Sequence, residues 1–202
     1  GAGDDYIKIF NKSSFVEING DDGSDTVQIS GNIDTSNPNL KIDGGAGNDI
    51  LRIDGAFNSS LVGPNIANFE AIYFGNEFGG APPKILLKGN QLTLGIHSTG
   101  PGLNQILILE NVEVRFDSNS FTFNTTNATL RNQGKLNLRG SAPGKTITIN
   151  GNYEGYTDSK ILMNTQLNGD SSVTDKLVIN GNSSGTSAVN VTNVGGTGAK
   201  TV

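Results

Sequence analysis

The chain has 202 residues, a net charge of −5 and no cysteine, and only 34% of its residues are hydrophobic. The acidic balance argues against nucleic acid or an anionic lipid surface as the main partner, and the lack of cysteine excludes disulfide bonds. No apolar run approaches the length of a membrane span. Because the chain starts inside a Gly/Asp turn without a signal peptide, we expect it to be a fragment of a longer protein.

The sequence predicts short β-strands that are separated by tight turns. Alternating, β-branched runs bounded by Gly, Asn or Asp are typical of such strands. In chain order these runs are YIKIF, TVQIS, ILRID, KILLKG, QILILENVEVRF, KTITING and KLVING. No amphipathic helix pattern accompanies them, so the predicted fold class is all-β.

A glycine-rich turn ending in aspartate occurs three times near the N-terminus. The copies read GAGDDYI, GDDGSDTV and GGAGNDIL, and their anchor residues Asp5, Asp25 and Asp49 are 20 and 24 residues apart. A softer repeat, Ile followed by Asn or Asp and then Gly, ends strands along the whole chain and supplies residues that tolerate positive φ. Its copies lie at 18–20, 42–44, 53–55, 149–151 and 179–181.

Periods of 20 to 30 residues indicate a solenoid. The sequence therefore predicts a right-handed, single-stranded parallel β-helix of roughly nine coils, with aliphatic ladders inside. A slender core of this kind explains the modest hydrophobic fraction.

The three turns match the GGxGxDxUx pattern of RTX-type calcium repeats. Glycines let the backbone carbonyls curl toward one point, aspartates add carboxylates, and Ca²⁺ prefers six to eight oxygen ligands. The pattern predicts at most two calcium sites between coils, at Asp5/Asp25 and Asp25/Asp49. The alternative is a set of plain turns that are closed by Asx hydrogen bonds. The predicted metal-site residues are Asp5, Asp22, Gly23, Asp25, Gly45, Gly47 and Asp49.

Two stretches resemble a known family. IANFEAI at 66–72 is similar to an element that follows GGxGxD turns in bacterial autotransporter passengers. The C-terminal third resembles the end of pertactin-like, AIDA-type passengers, including their autochaperone region. The matching pieces are 149–153, 164–165, 169–172, 174–177, 179–182, 191–193 and 195–199.

The resemblance implies a type V secreted protein of a Gram-negative bacterium, located at the cell surface or outside the cell. It implies a β-helical passenger segment at 1–140, with the Gly/Asp turns in 1–55, and a cap or autochaperone segment at 141–202. We expect strands at 146–150, 161–167 and 176–181 to nucleate folding of the coils before them. A C-terminal outer-membrane barrel is the implied translocator partner in the full-length protein.

The sequence does not predict an enzyme. Gly169-Asp170-Ser171 has the form of a nucleophile motif, but the chain's one histidine is His97 and no carboxylate pair stands out. We expect a non-enzymatic adhesin that binds a host-cell surface or matrix protein, or copies of itself. The alternatives are a released effector that binds a host receptor, and a surface hydrolase whose catalytic part is absent.

Two further features bear on partners. The loops at 78–83 and 98–104 interrupt the strand pattern and are candidate contact loops. Basic residues of the middle third could line the rod as a stripe, although we expect scattered, solvated charges. They are Lys84, Lys88, Arg115, Arg131, Lys135 and Arg139.

Overall fold

The computed structural model describes residues 1–10, 17–30, 40–54, 59–75, 83–95 and 104–198. Within these ranges the chain forms β-strands and two short 3₁₀ helices, Gly63–Asn65 and Gly169–Ser171, and no α-helix. The all-β prediction is confirmed.

The strands follow one another with short corners between them. In chain order they are β1 (Tyr6–Phe10), β2 (Glu17–Asn19), β3 (Thr26–Ser30), β4 (Lys41–Asp43), β5 (Ile50–Ile53), β6 (Ser59–Val62), β7 (Ile66–Ala67), β8 (Ala71–Phe74), β9 (Lys84–Lys88), β10 (Gln91–Thr93), β11 (Gln105–Ile108), β12 (Glu113–Phe116), β13 (Ser120–Asn124), β14 (Thr129–Asn132), β15 (Lys135–Asn137), β16 (Thr146–Ile149), β17 (Asn152–Gly155), β18 (Lys160–Gln166), β19 (Val173–Thr174), β20 (Lys176–Ile179), β21 (Ser183–Gly185) and β22 (Ala188–Asn193).

The strands stack into four sheets, in which every pairing is parallel except β18 with β19. Sheet A has the order β1-β3-β5-β8-β11-β14-β17-β21. Sheet B has the order β6-β9-β12-β15-β18, with β22 and β19 also paired to β18. Sheet C is β10-β13-β16-β20, and sheet D is β2-β4-β7.

From β8 onward the chain visits sheets A, B and C in turn and then repeats. Sheet D takes the place of sheet C in the first coils, since β5, β6 and β7 lie in sheets A, B and D. This three-sided winding is a parallel β-helix, as predicted. Sheet A holds eight stacked strands among the described residues, and the predicted total of roughly nine coils stays a prediction.

Inward side chains form continuous columns, because strand residues alternate between the two faces of a sheet. One column of sheet A pairs Val27, Leu51, Ile72, Ile106 and Leu130 in register, and all five are fully buried. The column ends in Tyr153, which pairs with Leu130. Stacked apolar columns supply the hydrophobic burial that holds the coils together.

Three aromatic rings fill the core where sheets B and C meet. Phe116, Phe121 and Phe123 are buried, and their ring centroids are 5.1 to 5.8 Å apart. Tilted and edge-on pairs at these distances add to the energy of burial alone.

The Ile-Asn/Asp-Gly repeat has a different cause from the predicted one. None of Gly20, Gly44, Gly151 and Gly181 is among the residues with positive φ. A Cβ at Gly20 would instead overlap the carbonyl of Gly44, and one at Gly44 would overlap the carbonyl of Asn68. Glycine is needed at these corners because the backbone of the next coil lies against it.

An acid ladder at the corner before sheet A

The three anchor aspartates lie at one corner of the coils, as the spacing predicts. Asp5, Asp25 and Asp49 each directly precede a strand of sheet A, namely β1, β3 and β5. The register pairs Tyr6 with Thr26 and Thr26 with Ile50, so the residues that follow the anchors stack directly. The predicted spacings of 20 and 24 residues are therefore the lengths of the first two coils.

The carboxylates join neighbouring coils by accepting backbone hydrogen bonds. Asp25 Oδ1 accepts the N–H of Asp5 at 2.7 Å, and Asp49 Oδ1 accepts the N–H of Asp25 at 2.7 Å. Glu70, directly before β8, continues the series, since its Oε2 accepts the N–H of Asp49 at 2.7 Å. We call Asp25, Asp49 and Glu70 the acid ladder. A carboxylate that accepts a backbone N–H makes a stronger hydrogen bond than a neutral acceptor does.

The acid ladder is buried, and its hydrogen bonding is incomplete. Asp25 and Asp49 are fully buried and Glu70 is nearly so. The second oxygens of the aspartates, Asp25 Oδ2 and Asp49 Oδ2, have no hydrogen-bond partner. Burial raises the pKa of Asp49 to about 6, against the opposing effect of the Asp25 N–H and with further raising by Glu70 and Asp25. This corner therefore holds a charge that the folded state stabilises poorly.

The turn residues that were predicted as calcium ligands stack through their backbones. The N–H of Gly3 donates to Asp22 O at 2.7 Å, and the N–H of Gly23 donates to Ala46 O at 2.9 Å. Gly23 and Gly47 have positive φ, at 144° and 145°. A Cβ at Gly47 would overlap the carbonyl oxygen of Gly23. These glycines thus permit one turn to rest directly on the turn before it.

Gly45 has the same role beside them. Its φ is 101°, and a Cβ there would overlap the carbonyl of Asp21. Asx hydrogen bonds also occur in these turns, from Asp21 N–H to Asn19 Oδ1 at 3.1 Å and from Gly45 N–H to Asp43 Oδ1 at 3.0 Å. The anchor aspartates do not make them.

The predicted metal residues therefore share one corner, but their oxygens serve the stacking of coils. Among the described residues, no group of three or more Asp, Glu, His or Cys side chains is placed to hold a metal ion. Asp25 Oδ1 and Asp49 Oδ1 are already occupied by N–H donors, and Asp5 is half exposed. Calcium binding stays a prediction from the sequence pattern.

A second carboxylate of the same kind lies near the C-terminus. Asp175 directly precedes β20, and its Oδ1 accepts the N–H groups of Gly144 and Lys145, both at 2.9 Å. Its Oδ2 accepts the N–H of Asn164 at 2.7 Å, so both oxygens have partners. Asp175 is 1% exposed. It ties the corner before β16 to the corner before β20 and to the middle of β18.

The buried lysine beside Asp175 also makes a hydrogen bond to the neighbouring coil. Lys145 Nζ donates to the carbonyl of Phe116 at 2.6 Å. Burial lowers the pKa of Lys145, whereas the nearby Asp175 acts to raise it. Lys145 and Asp175 thus place opposite charges in one buried corner, where each reduces the cost of the other.

The strands β18 and β19 form the one antiparallel pairing of the described strands, Thr165 with Thr174 and Gln166 with Val173. The 3₁₀ helix Gly169–Ser171 connects them. Asp175 follows β19 directly, so its carboxylate fixes the base of this hairpin. Ser171 is exposed on the connection and its hydroxyl donates to Asn168 O at 3.4 Å.

Several predicted features fall elsewhere. His97 and most of both candidate contact loops, 78–82 and 98–103, lie outside the described residues. Sequence reasoning missed Glu70 and Asp175, because neither follows a glycine-rich turn. One signal was available for both: an acidic residue directly before a strand, about one coil after the previous corner.

Several known proteins resemble part of this chain. "Probable autotransporter YfaL" of Escherichia coli strain K12 is 39% identical over 93 residues, which is 45% of this chain and 7% of that protein. "Adhesin BmaC autotransporter" of Brucella suis biovar 1 strain 1330 is 49% identical over 57 residues, 28% of this chain and 2% of that protein. "Uncharacterized protein YuaQ" of E. coli K12 is 55% identical over 71 residues, 35% of this chain and 5% of that protein. No solved structure matches the chain.

Residues 113–202 match the family model described as Autochaperone Domain Type 1. This part of the chain is an autotransporter autochaperone region. The resemblance to autotransporter passengers is thereby confirmed. The autochaperone match begins ahead of residue 141, where the sequence placed the boundary, and that boundary stays a prediction.

The autochaperone region contains Asp175, Lys145 and the aromatic trio, whereas the acid ladder lies in the coils before it. The chain spans between 2% and 7% of the three relatives' lengths. No helix in the described part of the chain is long and apolar enough to cross a membrane.

Proposed function

We propose that the chain is a segment of a non-enzymatic adhesin, exported to the surface of a Gram-negative bacterium, with its autochaperone region as the nucleus for folding. The observation that carries this is the match of residues 113–202 to an autochaperone domain on a continuous parallel β-helix. A similar protein is described as an adhesin. In the full-length protein, a C-terminal translocator barrel would be the partner for export.

The outer surface supports attachment through many weak contacts. Asparagines form a ladder at the end of sheet C, where Asn150 Nδ2 donates to Asn124 Oδ1 at 2.9 Å and Asn180 Nδ2 donates to Asn150 Oδ1 at 2.8 Å. Such a ladder repeats the same polar group from coil to coil. Repeated groups favour multivalent binding, to a host surface or matrix protein or to a second rod.

The autochaperone region has the contacts that a folding nucleus needs. Asp175 joins three segments with both oxygens satisfied, and Phe116, Phe121 and Phe123 pack in one cluster. In a solenoid each coil contacts mainly its neighbours, so a stable coil can template the one before it.

The attachment proposal is tested by displaying the whole passenger that contains this segment on a bacterium that does not aggregate. We expect cell clumping or attachment to host cells. A passenger that produces neither, but that acts on host cells when purified, would be the released effector instead.

A further inference from the structure

Sheet B carries five of the fourteen basic residues of this acidic protein. The strands β6, β9, β12, β15, β18, β19 and β22 contain five cations and one anion, whereas the whole chain has a net charge of −5. The register stacks Lys84, Glu113, Lys135 and Lys160 in one line along the rod. For the six basic residues of the middle third, the sequence led us to expect scattered charges. The coils instead bring four of these six onto sheet B, namely Lys84, Lys88, Arg115 and Lys135.

The one anion in the line is already used. Glu113 Oε1 accepts hydrogen bonds from Arg115 Nε at 2.6 Å and from Asn137 Nδ2. Burial alone would raise the pKa of Glu113, but these two hydrogen bonds hold that pKa below its usual range. Glu113 therefore stays ionised at neutral pH, where it pairs with Arg115 and also attracts the neighbouring Lys84.

The lysines are exposed or partly exposed, and no hydrogen bond or ion pair in the described part of the structure involves their ammonium groups. Lys135 and Lys160 are directly opposite each other on neighbouring strands. Like charges in that arrangement destabilise a sheet, and strands are about 4.8 Å apart. An anion that bridges the pair would remove this cost.

Sheet A shows that this arrangement is not a general property of the rod. Its outward cations have partners within the protein: Arg131 pairs with Glu154 at 2.9 Å, and the guanidinium of Arg52 lies 4.9 Å from the ring centre of Tyr73. On sheet B the three lysines face outward and make no hydrogen bond or close ion pair among the described residues, although Glu113 attracts Lys84 at longer range.

We propose that the outward face of sheet B binds a linear, negatively charged polysaccharide through Lys84, Lys135 and Lys160. The proposal rests on the proposed attachment function and names its ligand class. The lysines lie in one line along the coil axis, which suits a chain of repeating carboxylate or sulfate groups. The adjacent line of the sheet contains Arg115 and Asn137 besides Leu86 and Leu162, and the two leucines are partly buried.

Acidic residues flank the line of lysines on sheet B. The exposed acids Glu110, Asp117 and Asp158 lie at the corners that flank sheet B. They border the line of lysines on both sides and confine an anionic ligand to the middle of the sheet.

The test uses the 202-residue chain on immobilised heparin, a linear sulfated polysaccharide. We expect salt-dependent retention that the triple variant K84Q/K135Q/K160Q weakens by about tenfold, since three exposed ion pairs are lost. The matched control K8Q/K41Q/K176Q removes the same charge from exposed lysines on other sheets, and we expect it to lower affinity by about twofold or less. Circular dichroism confirms that all variants fold.

The proposal is overturned if the wild-type chain is not retained, or if both triple variants weaken binding equally. It is also overturned if single-stranded DNA or vesicles of anionic lipid bind more tightly than heparin does. Glu113→Gln removes the one acid of the line, and tighter heparin binding by this variant supports the proposal. The attachment function is read separately from cell clumping, so failure on heparin leaves it standing.

Discussion

The N-terminal coils and the autochaperone region use the same corner device with different completeness. In both, a buried carboxylate directly before a strand accepts the backbone N–H of the equivalent corner one coil earlier. Asp175 has partners for both oxygens, whereas Asp25 Oδ2 and Asp49 Oδ2 have none. The comparison indicates that Asp175 stabilises the corner of the autochaperone region. The acid ladder also aligns neighbouring coils, but its unsatisfied buried oxygens cost free energy.

We expect the loss of the Asp175 carboxylate to lower the free energy of unfolding more than any other change proposed below. Asp175→Ala leaves the N–H groups of Gly144, Lys145 and Asn164 without an acceptor, and it removes the negative charge that favours the buried ammonium group of Lys145. We expect a loss of about 3–5 kcal/mol in the free energy of unfolding. Urea denaturation measures it. Asp170→Ala, at an exposed site nearby, is the control, and an equal loss in both variants would contradict the account.

A clash in the stacked turns comes next. Gly47→Ala places a Cβ on the carbonyl of Gly23 and also strains a positive φ, so we expect a loss of about 2–4 kcal/mol. Gly3 has a φ of 124° with nothing near its Cβ position, so Gly3→Ala isolates the backbone strain, about 1 kcal/mol. Thermal melts of the two variants check the difference. Equal melting temperatures would show that the turns do not rest on each other.

The unsatisfied charge makes the acid ladder sensitive to pH. Folding raises the pKa of Asp49 from 3.8 to about 6, so the folded protein binds a proton at this carboxylate more tightly than the unfolded chain does. The contribution of Asp49 to stability therefore rises as pH falls from 7 to 4, by on the order of 2–3 kcal/mol. Asp49→Asn should remove this contribution. The readout is the difference between wild type and variant in urea midpoints at both pH values, and a difference that is independent of pH would refute the assignment.

The effect of calcium on stability is expected to depend on the Asp25 and Asp49 corner and not on acidic residues of the autochaperone region. The sequence pattern predicts that millimolar calcium raises the melting temperature above its value in chelator, since an ion that binds only the folded state stabilises it. This gain should vanish in the double variant D25N/D49N and persist in Asp170→Ala. A wild-type melting temperature that is the same in calcium and in chelator would remove the metal from these turns.

The fold could be predicted because its signals are local and periodic. The runs YIKIF and TVQIS are β1 and β3 residue for residue, and the spacing of the anchor aspartates gives the register between them. The expected strands at 146–150, 161–167 and 176–181 correspond to β16, β18 and β20 within one residue or two. The antiparallel pairing of β18 with β19 was not foreseen, since strand direction depends on the partner and not on the run itself.

The site could be predicted only in part. The spacing correctly places Asp5, Asp25 and Asp49 at one corner, and calcium binding there stays a prediction. The pattern did not predict that Asp25 and Asp49 each accept a backbone N–H from the coil before. Glu70 follows Asn68 and Phe69, and not a glycine-rich turn, although its distance of 21 residues from Asp49 is one coil. Which atom a buried carboxylate binds depends on the backbone of the neighbouring coil, and sequence patterns do not report that.

The central claim is that the autochaperone region folds first and the earlier coils then stack on it. Ile147→Val in β16 and Ile29→Val in β3 remove one methylene from fully buried positions, each worth about 1 kcal/mol. Stopped-flow folding and unfolding rates of both variants give their φ-values. The account predicts a φ-value near 1 for Ile147→Val, so that this substitution slows folding. It predicts a φ-value near 0 for Ile29→Val, so that this substitution only speeds unfolding. The reverse order, or equal values, would contradict it.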